Sequence, residues 1–175
     1  MIETFKNKIA NFLLKKHKKS HPTAEINFNK FFSNSSNILL IAPENNNDLK
    51  YIEQIIHYLH SAGKEVSVLI AEHKVSLMNN KKGIKFLTYG LADINKLNLP
   101  SPKLKSILVN CSFDVVIDLN SIPNRFFRAV GAYCQSKVSI GFKGENADTY
   151  YNFQITAEIN TKNSYENLLN SLKMF

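Results

Sequence analysis

The chain has 175 residues, 44% of them hydrophobic and 21% charged, with a formal net charge of +8 and only two cysteines. That is the size of one ordinary domain, long enough to bury a core without a disulfide or metal staple. Six glycines and five prolines exclude a low-complexity or collagenous chain, the apolar content excludes wholesale disorder, and no apolar run approaches the ~20 residues of a membrane span.

The charge is concentrated at one end. Residues 1–22 hold Lys6, Lys8, Lys15, Lys16, Lys18 and Lys19 against Glu3 alone, whereas the remainder holds sixteen basic and thirteen acidic groups. Ile2, Phe5, Ile9, Phe12 and Leu13 recur at helical spacing, so 1–22 reads as a basic amphipathic helical arm. Lys6 and Lys8 break any signal-peptide apolar core. Three roles compete for the arm: docking on the domain, lying on an anionic membrane surface or a protein partner, and holding RNA or ribosomal phosphates through its lysines. No RNP-type aromatic motif, zinc knuckle or GXXG clamp favours RNA. A cytoplasmic protein, peripheral on the inner membrane if the arm binds lipid, is the expectation. Residues 23–36 read as a polar connector carrying two aromatic anchors, Phe31 and Phe32.

From residue 37 to 175 the pattern alternates strands and helices. Ile38–Ala42 is a continuous apolar run, as a central parallel strand requires when both faces are covered. The polar loop Pro43–Asp48 leads to a helix with the stripe Leu49, Ile52, Ile55, Ile56 and Leu59, capped by Asn47 or Asp48 and ended at Gly63. Strands follow at Glu65–Ile70 and Ile84–Thr88, with a short helix expected within 71–82. Residues 103–110 read as a helix and Phe113–Leu119 as the strongest strand. After Pro123 comes a helix with Phe126, Phe127 and Val130, then a strand at Lys137–Phe142 and an edge strand at Tyr151–Ile155. A closing helix is expected to be capped by Asn163 or Ser164. Right-handed crossovers make this an α/β fold: a single doubly wound, mostly parallel Rossmann-like sheet in the order 3-2-1-4-5. A ligand would sit at the carboxyl ends of strands one and four.

Candidate chemistry gathers at that edge. Asp48 faces the crevice or caps the helix; the cap is the simpler reading. Glu44 reads as a solvated loop residue, and two carboxylates in this loop argue against a phosphate there. No dinucleotide or P-loop glycine pattern is present. Asp118 and Asn120, ending the fourth strand, would bind a sugar hydroxyl or organise a turn. Arg125 and Arg128, the only arginines, are suited to gripping an anion or to surface ion pairs. His57 and His60 lack a third ligand at useful spacing, so no metal is expected, and no cofactor either. Cys111 and Cys134 read as reduced thiols in apolar surroundings. Gly141 and Gly144 are explained by a turn, and Tyr150, Tyr151 and Phe153 by packing. A phospho-receiver reading on Asp118 needs an acidic pair after the first strand and a lysine better placed than Lys143.

The segment order resembles the N-terminal half of the heptosyltransferases, the ninth glycosyltransferase family, of GT-B architecture. Asp48-Leu49 follows the first strand as the family's Gly-Asp does. Asp114-Val115-Val116-Ile117-Asp118-Leu119-Asn120, Arg125, Lys137 and Ile140-Gly141-Phe142 are similar to its "DLVIDLxGxxRS … IGF" stretch. Ser164–Leu172 is similar to its closing helix. The resemblance implies that Asp48 matches the base that activates the acceptor hydroxyl, with Asn47 in place of the glycine. A second, donor-binding domain is not expected within 175 residues. The implied role is a non-catalytic relative of the acceptor half, acting as a binding or interaction module. The alternatives are half of a split transferase using Asp48 as base and an RNA-associated protein.

Overall fold

The apolar run that opens the body is strand β1, Asn37–Ile41, and it lies in the middle of the sheet. The computed structural model describes residues 28–79, 82–158 and 161–175. The lysines of the arm, Lys6 to Lys19, lie outside the described residues. Six strands pair in the order β3-β2-β1-β4-β5-β6: β2 is Glu65–Ala71, β3 Ile84–Tyr89, β4 Val115–Asp118, β5 Val138–Phe142 and β6 Phe153–Ile155. Every pairing is parallel, the edge strand β6 included. The α/β doubly wound expectation is met.

The alternation along β1 explains its composition. Ile38 and Leu40 join a core with helix α2 (Leu49–Ser61) and helix α5 (Thr161–Leu172). Leu39 and Ile41 join a second core with α3 (Pro102–Asn110) and α4 (Arg125–Tyr133). All four side chains are fully buried. A strand covered on both faces has no polar side, so its residues are apolar without a break. The α2 stripe Leu49, Ile52, Ile55, Ile56 and Leu59 is buried as its spacing requires.

Locally, the short helix expected within 71–82 is present as a 3-10 helix at Glu72–Leu77. The segment read as a connector contains helix α1, Phe28–Asn34, which buries Phe32 against the first core. Asp48 occupies the N-cap position of α2, as expected, but its side chain makes no capping hydrogen bond. Asn45 caps the 3-10 turn Asn46–Asp48 that precedes α2, its side-chain oxygen accepting from the Asn47 amide at 3.0 Å. At α5, Ser164 is fully buried inside the helix and its hydroxyl accepts from the Glu158 amide at 2.8 Å, while Asn163 donates to the Glu158 carboxylate. Short polar side chains satisfy nearby backbone amides at whichever position the chain geometry presents, and that position shifts easily by a residue or two.

Candidate functional site

The order reverses between β1 and β4, so the loops leaving these neighbouring strands diverge to opposite sides and leave a crevice at their carboxyl ends. On one side of it is a cleft of 570 Å³. The loop after β1 contributes Pro43, Glu44, Asn45 and Asp48. Asn120, Ser121 and Ile122 line it from the turn after β4. Ala157, Glu158 and Thr161 line it from the passage between β6 and α5.

The other part of the crevice is filled. Asp118 is only 3% exposed, and its carboxylate accepts from the Tyr151 hydroxyl at 2.6 Å, the Asn120 side-chain amide at 2.8 Å and the Asn120 backbone amide at 3.0 Å. Burial still pushes its carboxyl above the ordinary aspartate range, against the pull of those bonds and of Arg128. Asn120 in turn donates to the Ala42 carbonyl and accepts from the Glu44 amide at 2.8 Å. Tyr165 donates to the Leu119 carbonyl at 2.5 Å and stacks on Tyr51 with ring centroids 4.9 Å apart. Asp118 therefore holds the turn that shapes the cleft and is not part of the cleft's lining.

Asp48 differs from Asp118 in its partners. It is 7% exposed and lines the cleft, yet among the described residues its carboxylate accepts no hydrogen bond. Burial raises its carboxyl above the usual range, with Lys50 opposing. The folded state thus holds a proton on Asp48 more tightly than the unfolded chain does, and the ionised form costs stability above the folded pKa. Asp48→Asn removes that cost while keeping the shape. It is expected to raise the melting temperature at pH 7 by ~2 °C, and the gain should shrink as pH falls and the native carboxyl protonates. Thermal melts of both proteins between pH 4 and 8 check this; an unchanged or lowered Tm for the variant at pH 7 would refute it.

The two arginines do not reach the cleft. Arg125 donates to the Leu97 carbonyl at 3.3 Å; Arg128 donates to the Glu145 carbonyl at 2.8 Å and lies over the Tyr150 ring at 4.9 Å. They tie α4 to neighbouring loops. Glu44 is exposed, as expected of a solvated loop residue, and its carboxylate accepts from the Asn124 side chain at 3.0 Å while its backbone carbonyl accepts from the buried Lys74 ammonium. Glu158, Ser121 and Thr161 were not singled out by sequence, because the segments that carry them have no motif and meet the β1 loop only through the fold. Among the described residues, no three His, Cys, Asp or Glu side chains group as metal ligands. Cys111 and Cys134 are free thiols, both pushed up by burial. No described helix is long and apolar enough to cross a membrane.

A family model matches residues 6–175. The chain belongs to the family of unknown function DUF6913. No curated protein matches it. Among solved structures, the fold is similar to a family 9 glycosyl transferase from Veillonella parvula DSM 2008, with a TM-score of 0.58 and 13% sequence identity. The match covers 79% of this chain and 41% of that one, so the chain spans about two fifths of the length of that transferase. At this identity the likeness concerns the fold alone, a Rossmann-like sheet flanked by helices.

Proposed function

We propose that this domain is a binding module of the GT-B acceptor-half type, whose cleft at Asp48 takes a small hydroxyl-rich ligand. The observation that carries the reading is the open 570 Å³ cleft beside a buried carboxylate that lacks a hydrogen bond among the described residues. Its volume is in the range of small-molecule sites, ~300–1,000 Å³. The Asp48 oxygens are not sealed from solvent, so a ligand hydroxyl entering the cleft can reach the carboxylate and donate to it. Asn45, Ser121 and Thr161 add donors and acceptors, while Pro43, Ile122 and Ala157 offer apolar contact to the carbon face of a sugar ring. Among the described residues the lining contains no Lys, Arg or His, so a phosphorylated ligand finds no cation from them there.

The test is an NMR titration of the full chain with a neutral β-1,4-linked glucose disaccharide and, separately, glucose 6-phosphate. Amide shifts confined to residues 43–48, 120–122 and 157–161 with the disaccharide, and their absence with the phosphate, are the expected result. Shifts elsewhere, or none with the disaccharide, would remove the reading.

A catalytic version of the same site rests on the raised Asp48 carboxyl, since a general base works best with a pKa moved toward the working pH. It would make Asp48 the base for an acceptor hydroxyl, with a donor held by a separate domain or chain. Sugar transfer by the full chain in the presence of such a donor domain, lost in Asp48→Asn, would select this version over the binding module.

A further inference from the structure

Resting on the cleft reading above, we infer that the preferred ligand carries an ammonium group as well as hydroxyls, as an amino sugar does. Among the described residues three carboxylates line the cleft, Glu44, Asp48 and Glu158, and no basic side chain does. An acidic lining alone would be compatible with an empty solvated surface. What distinguishes this one is Asp48: more than nine-tenths buried, facing the cleft, and without a hydrogen bond among the described residues.

The other two acids are already anchored. Glu44 accepts from the Asn124 side chain, and Glu158 from those of Asn163 and Asn167 at 3.1 and 2.9 Å. Those amides hold the Glu158 carboxyl below its usual range, so it stays ionised. They are neutral donors, so neither pairing cancels a negative charge. Two lysines act on the site from outside its lining. The Lys50 ammonium sits 5.0 Å from the Tyr51 ring centroid and pulls on Asp48 only through space, and Lys74 is committed to the Glu44 backbone carbonyl. The cleft therefore keeps a net negative potential at a carboxylate whose oxygens are still reached from solvent, which a neutral hydroxyl meets with a hydrogen bond and an ammonium meets with a hydrogen bond and a charge.

The experiment compares two disaccharides of one size on the full chain, the neutral glucose dimer and the β-1,4-linked glucosamine dimer, by calorimetry at low ionic strength. The glucosamine dimer is expected to bind about tenfold more tightly, the difference between a charge-assisted and a neutral hydrogen bond. In Asp48→Asn, whose fold is checked by its thermal melt, the two should differ by no more than about twofold. Equal affinities for the native chain, or a preference that survives in Asp48→Asn, would overturn the inference while leaving the cleft reading intact. Failure of both dimers to bind at the cleft would overturn both.

Discussion

Gly141→Ala is expected to destabilise the domain by about 3 kcal/mol and to do so through a residue ten positions away. A Cβ at Gly141 would stand 2.5 Å from Cζ of Tyr151 and 2.6 Å from both of its Cε atoms, closer than carbon atoms can approach. The ring lies flat over the strand in space that only glycine leaves, and Tyr151 is 7% exposed. Any displacement also withdraws its hydroxyl from Asp118, a fully enclosed carboxylate whose other donors both come from Asn120. The overpacking and the broken charge-assisted bond thus arrive together.

That coupling gives a sharper test than the single substitution. Tyr151→Phe alone leaves Asp118 short of one donor and should cost about 2 kcal/mol. In a Gly141→Ala background the bond is already lost, so adding Tyr151→Phe should cost almost nothing more. Urea denaturation of the four proteins measures the interaction term. Additive losses, or a Gly141→Ala loss below about 0.5 kcal/mol, would mean that the ring does not need the glycine. The consequence extends to the cleft. Asn120 is held by Asp118 and itself holds the Glu44 amide, so a loosened Asp118 frees two of the cleft's walls.

Much of the sheet was legible in the sequence because its signals are local. Ile38–Ile41 is apolar on both faces, and the α2 stripe repeats at helical spacing; each can be read within a dozen residues. Helix α1 was not legible: its seven residues, FNKFFSN, show no cap and too little length for a stripe, and its stability comes from residues thirty and more positions away. Gly141 was read as a turn residue, because the ring that requires it is defined only once β6 pairs with β5. At the site, the position of Asp48 was readable but its freedom was not. Whether an aspartate after a strand caps the next helix depends on a choice between Asn45, Asn47 and Asp48 that only the loop's path decides. Arg125 and Arg128 suggested an anion site by type, and the fold assigned them to carbonyls instead.

At the opposite end of the sheet, Lys64→Met is expected to cost about 3 kcal/mol and to release α1 selectively. Lys64 is 9% exposed, and its ammonium donates to the carbonyls of Phe32, Ser33 and Ser35 at 2.8, 2.9 and 2.7 Å. Those three bonds use every proton the group has. They gather the carbonyls at and just beyond the C-terminal end of α1, where a helix runs out of its own donors; the Phe32 carbonyl also accepts from the Ser35 amide and hydroxyl. A seven-residue helix has no stability of its own, so it persists by attachment. Asp114 completes the joint, one carboxylate oxygen accepting from the amides of Ser36 and Asn37. Phe32 and Phe153 pack their rings on Phe175, at centroid distances of 5.5 and 5.1 Å, and Ser33 donates to the Phe175 carbonyl. Methionine keeps the stem's packing but withdraws the ammonium from all three carbonyls, leaving Phe32 only its bonds from the Ser35 amide and hydroxyl. Arginine is not expected to restore the joint, since a planar fork cannot converge on three carbonyls as an ammonium does. Hydrogen exchange should show lost protection at 28–34 and retained protection in β1, β2 and β4. Because this joint lies at the amino end of the strands and the cleft at their carboxyl end, Lys64→Met should leave ligand affinity at Asp48 unchanged, whereas Gly141→Ala should weaken it. Uniform loss of protection across the sheet in Lys64→Met would show instead that α1 and the sheet unfold as one unit.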